Sequence, residues 1–111
     1  LTLETFLTIY EAAGKLDRWV QNSMALALVS AQRREEIANV QFSDIRDGAW
    51  WCQQAKENSR IVIPVVVRLD AVGWSLDDVV KRCRDTVVSR YLIHHTKRRT
   101  HSKPGDQVWI D

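Results

Sequence analysis

The sequence predicts an α+β fold, mainly helical, with a small three-stranded antiparallel sheet. Three observations carry this. Apolar residues recur at helical spacing through the first forty positions. The period then shortens around Asp47-Gly48, a two-residue turn pair that favours a hairpin. The reading returns to helix after Pro64, and Asp77 and Asp78 fall in the first turn of the helix that Ser75 caps.

Thr2 can cap a helix over 4–13, whose apolar face comprises Phe6, Leu7, Ile9, Tyr10 and Ala13, with Gly14 as its stop. Asp17 is a candidate cap for a second helix running to Ser30. The centre of that helix, 24–29, is apolar all round, which marks a core helix. A short amphipathic helix follows over 34–39, with Glu35 and Glu36 at the positive end of its dipole. Strands are expected over 44–46, 49–53 and 60–64, with a polar turn over 54–59. Beyond Pro64 the reading is helix over 65–71, a break at Gly73, and a helix from Leu76 to about Val88 capped by Ser75. Residues 91–93 read as a further short strand, and the rest as loop.

At 111 residues the chain is one domain or a large part of one. No stretch approaches the roughly 18 apolar residues of a membrane span, and no signal-peptide pattern opens the chain, so a cytoplasmic location is expected. Cys52 and Cys83 are expected as reduced thiols. His94, His95 and His101 lack carboxylate or thiol partners at ligand spacing, so no metal site is expected. The net charge of +2 points to no partner, but Lys97, Arg98, Arg99, His101 and Lys103 form a basic run with no acid before Asp106. Such a run is either a solvated loop or a phosphate contact. Trp50 and Trp51, adjacent in a strand, must face opposite ways, one of them into the core. Trp19, Trp74 and Trp109 read as packing residues.

The densest chemistry lies at 26–47, LALVSAQRREEIANVQFSDIRD. Arg33 falls where one helix stops and the next begins, so packing holds its backbone, and a guanidinium there can grip a phosphate. The alternative is a surface arginine paired with a glutamate. Ser30-Ala31-Gln32-Arg33-Arg34-Glu35-Glu36-Ile37 and Phe42-Ser43-Asp44-Ile45 resemble the first active-site box of the tyrosine recombinases, the phage integrases of the lambda type. That box commonly reads T-G-x-R-x-x-E-L followed by W-x-D-I, and Ala31 replaces its glycine. Residues 1–10 resemble the opening helix of the same catalytic domain. Residues 50–64 resemble its β-hairpin, with Lys56 at the active-site lysine.

The resemblance implies a partial catalytic domain over 1–111, binding double-stranded DNA at a recombination site, with no metal or nucleotide cofactor. Arg33 would stabilise the charged transition state, with Arg34 as the neighbouring alternative. Glu36 would orient Arg33, or be no more than an (i, i+3) helix pair. Lys56 would protonate the leaving 5′ oxygen as a general acid if neighbouring charge or desolvation lowers its pKa. Arg34, Arg60, Lys97, Arg98 and Arg99 would contact DNA. The family's second half carries an H-x-x-R box and a nucleophilic tyrosine. His95 stands three before Arg98, but too early and without the flanking helix, so that spacing is a coincidence. Neither Tyr10 nor Tyr91 has the nucleophile's setting. The chain is therefore expected to be unable to cut DNA alone. It is also expected to act at the nucleoid of a bacterial host and to self-associate through apolar surface around Leu26 and 91–93. A non-catalytic DNA-binding or protein-interaction remnant of such an enzyme is the rival reading.

Overall fold

The computed structural model describes residues 2–54 and 59–109. Helix α1 (Leu3–Ala12) begins where the Thr2 hydroxyl accepts from the Thr5 backbone N–H at 3.1 Å. It buries Tyr10 but leaves Ile9 half-exposed, so its inner face is narrower than the apolar pattern implied. Gly14 does not stop it. The chain tightens into a 3₁₀ turn, Ala13–Lys15, and passes through Gly14. Helix α2 (Arg18–Ser30) is the core helix, with Leu26 fully buried and Ala25 nearly so. Helix α3 (Arg34–Asn39) follows after three residues and buries Glu36, Ile37 and Ala38.

The sheet runs in the order β1 (Ile45–Arg46), β2 (Ala49–Gln54), β3 (Ser59–Pro64), antiparallel throughout. Asp47 and Gly48 both have positive φ, 52° and 72°, which is the twist a two-residue hairpin needs. The register pairs Trp50 with Ile63 and Cys52 with Ile61, and this face turns to the core. Trp50 is buried, while half-buried Trp51 on the opposite face stacks under the Arg46 guanidinium at 5.0 Å.

Beyond Pro64 the expected helix over 65–71 is absent. A second small sheet takes its place, pairing β4 (Arg68–Leu69) with β5 (Trp74–Ser75). Three consecutive valines, 65–67, lose side-chain freedom in a helix and favour extended backbone. Gly73, at φ 72°, serves the turn of this hairpin rather than separating two helices. Helix α4 (Leu76–Cys83) starts as read, with Ser75 and Asp78 exchanging hydrogen bonds in a capping box. It stops five residues short of Val88. Asp85 turns inward instead, accepting from the Val87 N–H at 2.9 Å and facing His94. Residues 91–93 form no strand; isolated bridges flank Leu92 and Ile93, with Tyr91 opposite Gln41 and His94 opposite Gln107.

Helices α2 and α4 pack together, α3 lies against β2, and Leu76, Val79, Cys83, Leu92 and Ile93 complete the core. The surface expected to be uncovered is therefore closed: Leu26, Leu92 and Ile93 are all at 0% exposure. The exposed large apolar residues are others, above all Val88, Val66 and Trp109. Trp109, at 71%, is not a packing residue. Both cysteines are free and buried. Burial pushes the Cys83 thiol up to about 12.

One polar cluster holds the C-terminal segment to this core. His94 is buried, with Nδ1 donating to the Tyr91 carbonyl at 2.7 Å and Nε2 at 3.0 Å from Asp85. Arg18 reaches the same carboxylate at 3.8 Å and donates to the Arg82 carbonyl at 2.8 Å. Removing one partner of such a group strands the other. Asp85→Ala is expected to cost about 2–3 kcal/mol in urea unfolding. Asp70→Ala, at an almost fully exposed position, should stay within about 0.5 kcal/mol. Equal effects of the two would show that the cluster contributes nothing.

Candidate active site and nucleic-acid interface

Helix α2 ends on Ala31, which adopts the left-handed conformation at φ 57°, ψ 24° while its N–H donates to the Ala27 carbonyl at 2.9 Å. This is the position that the recombinase box gives to glycine. An L-residue there costs roughly 1–2 kcal/mol of backbone strain. The chain then reverses, and Arg33, in extended backbone, becomes the N-cap residue of α3, its carbonyl accepting from Ile37 at 3.0 Å. The Arg33 side chain is solvent-exposed while its backbone is fixed on both sides by helices.

Gln32 secures this joint to the sheet. Its amide nitrogen donates to the Ser30 carbonyl at 3.2 Å, and its amide oxygen accepts from Gln54 at 3.0 Å. The Cys52 thiol lies 3.8 Å from the same oxygen. Gln54 in turn accepts from the Ser59 hydroxyl across the β2–β3 pair at 3.0 Å. The Arg33 joint and the far end of β2 are thus one hydrogen-bonded unit. Sequence reasoning missed Gln32 and Gln54, and the only signal was their polarity beside apolar runs. Lys56, expected as the general acid, lies outside the described residues.

Glu36 points inward. Its side chain is buried, and neither carboxylate oxygen accepts a hydrogen bond among the described residues, so no such bond joins it to Arg33. It lines a cavity of about 170 Å³ with Asn39, Asp44, Trp50, Trp51, Cys52 and Gln53. Burial, reinforced by the charges of Glu36 and Asp44, pushes the Cys52 thiol up to about 11. Neither thiol therefore supplies a nucleophilic thiolate at neutral pH.

The remaining expected DNA contacts separate into two regions. Arg34 opens α3 beside Arg33, and Arg60 stands on the outward face of β3; both are exposed. Lys97 and Arg99 lie instead at the start of α2, where both reach Asp17. The 13 residues of α2 separate the two regions by roughly 20 Å. Asp17, read as the cap of α2, makes no side-chain capping bond. Arg98 is exposed. Among the described residues no cluster of three or more metal-binding side chains occurs.

Relief of the strained turn gives a direct test of this geometry. Ala31→Gly is expected to raise stability by about 0.5–1 kcal/mol in chemical denaturation. A loss of stability would mean that the turn carries no strain.

No family model matches the sequence. The prophage integrase IntE of Escherichia coli K12 is 44% identical over 108 residues, which is 97% of this chain and 29% of that protein. The integrase of Escherichia phage lambda is 33% identical over 98 residues, covering 88% of this chain and 28% of the relative. The chain thus spans under a third of the length of these curated relatives. A lambda integrase tetramer bound to a Holliday junction superimposes with a TM-score of 0.83 at 32% identity, over 94% of this chain and 29% of that one. The lambda integrase catalytic core matches equally well, and there the chain covers 58% of the solved molecule.

Proposed function

This chain is a relative of the phage and prophage integrases, and on that footing we propose that it forms the N-terminal portion of a tyrosine-recombinase catalytic domain, binding double-stranded DNA and supplying part of the machinery for strand cleavage. The observation that carries this reading is Arg33, an exposed residue whose backbone is fixed at the α2–α3 joint, within a chain that follows lambda integrase over 94% of its length.

In this mechanism a tyrosine outside these 111 residues attacks a phosphodiester. Its oxygen forms a bond to phosphorus, and the bond from phosphorus to the 5′ oxygen breaks. Negative charge builds on the non-bridging oxygens, and Arg33 donates to them through two N–H groups. Rigidity matters because a donor already in place loses no free energy to reorganisation when the charge develops. Glu36, one turn further along α3, supports the joint from its buried side. Lys56 protonates the departing 5′ oxygen. Arg34 and Arg60 bind DNA near the reacting phosphate, and the basic run at 97–99 binds it further along the duplex. The chemistry requires no metal or nucleotide.

Lambda integrase has been solved as a dimer on a core site and as a tetramer on a Holliday junction. The complete protein here is proposed to assemble on DNA in the same manner, in the cytoplasm of a bacterial host and at its nucleoid. Among the described residues no helix is long and apolar enough to cross a membrane.

Covalent trapping on a nicked attachment-site duplex tests this reading. The 111-residue chain is expected to form no adduct, whereas the full-length polypeptide should form one. Arg33→Ala in that polypeptide should lower the yield by about 100-fold or more, with duplex affinity kept within about threefold. An undiminished yield would remove Arg33 from the chemistry. An adduct of the short chain through Tyr10 or Tyr91 would overturn the partial-domain reading. A full-length polypeptide that binds DNA yet never forms an adduct would favour a non-catalytic remnant.

A further inference from the structure

The basic run is not an open patch of free cations. Arg99 Nη2 donates to both oxygens of Asp17, at 2.8 and 2.9 Å, and Lys97 Nζ stands 3.5 Å from Asp17 Oδ1. The three residues, with Lys15 and Trp19, line a shallow cleft of about 330 Å³ at the start of α2. The Asp17 side chain is only 14% exposed, while Lys97 and Arg99 are 63% and 57% exposed. The cations thus face solvent across a carboxylate that sits between them and the helix. The Arg99 hydrogen bond, more than any other influence, holds the Asp17 carboxyl below its ordinary value.

Two features mark this carboxylate as exchangeable. A single Arg99 nitrogen serves both of its oxygens, and Nε and Nη1 make no hydrogen bond among the described residues. The two-nitrogen fork that suits a phosphate is therefore unused. Asp17 also occupies the N-cap position of α2 in extended backbone, yet makes no capping bond. A displaced Asp17 has a nearby alternative, because a side chain at that position can accept from the first-turn N–H groups of its own helix.

We propose that Lys97 and Arg99 form a cradle for one backbone phosphate of duplex DNA, and that Asp17 occupies this cradle in the free protein as the phosphate's competitor. Binding at this corner exchanges one anion for another: the phosphate enters the cradle, and Asp17 retires to the helix cap. The inference rests on the reading that the basic run contacts DNA, and it adds the residue that regulates that contact.

The test is binding of a random-sequence duplex of about 20 base pairs to the 111-residue chain across a salt series. Asp17→Asn keeps a good capping residue, and Asp17→Ser provides a second variant with the same property. Both should tighten binding three- to tenfold at low salt and steepen the slope of log K against log salt by about one to two, as the freed cations engage phosphate. Asp70→Asn, which removes an exposed charge elsewhere, should leave the slope unchanged. In a Lys97→Ala/Arg99→Ala background, Asp17→Asn should give no gain. If the Asp17 variants bind no better than wild type while Lys97→Ala/Arg99→Ala weakens binding, the DNA contact stands and the competition is refuted. If neither the Asp17 variants nor Lys97→Ala/Arg99→Ala changes binding, the basic run does not contact DNA, and the proposal falls with that reading.

Discussion

The geometry around Arg33 depends on how α2 ends. The helix is anchored by Leu26 and Val29 in the core, so its last turn cannot drift. Ala31 then takes a left-handed conformation and reverses the chain, and α3 starts at once with its own buried face, Ile37 and Ala38. An arginine between two such anchored helices has a backbone position set by the whole core. A rigid mount matters more for a charge-stabilising donor than for a simple binding contact, since its benefit comes from being in place beforehand. Ala31 stands where the recombinase box has glycine because the turn is required, and this chain retains it with a residue that tolerates it less well.

The joint is tied outward as well as inward. Gln32 couples the reversal to Gln54 at the end of β2, so a side-chain hydrogen bond ties the helix joint to the sheet. On the inner side Glu36 carries a buried carboxylate whose oxygens accept no hydrogen bond among the described residues. Burying a carboxyl group without hydrogen-bond partners is costly. Sequence spacing placed Glu36 one turn from Arg33 but could not decide between a surface helix pair and a buried group. Burial decides against the surface pair.

Local chemistry made the caps and turns legible. Thr2, Asp47-Gly48 and Ser75 with Asp78 all act as their residue types imply, since each depends on neighbours within three positions. Failures arose where distant partners intervened. The segment after Pro64 became a hairpin because its three valines favour extended backbone and because Leu76 and Asp77 donate back to the Val67 and Val65 carbonyls. Helix α4 ended early because Asp85 is held by His94, nine residues on. Asp17 abandoned the cap of α2 for Arg99, 82 residues away. The Gln32–Gln54 link spans 22 positions and was equally invisible. The box at 30–37 was legible only through family resemblance; its residue types alone fit a surface arginine equally well.

The central claim is that Arg33 acts on the charge of the non-bridging phosphate oxygens rather than on binding or folding. The most direct measurement compares the full-length protein and its Arg33→Ala variant on two duplexes, one with an ordinary scissile phosphate and one with a neutral methylphosphonate in its place. On the ordinary duplex the variant should be slower by two orders of magnitude or more. On the methylphosphonate, with one charged oxygen removed, that deficit should shrink to within about tenfold. An equal deficit on both substrates would show that Arg33 supports the fold or binds DNA generally, and would contradict its role at the reacting phosphate.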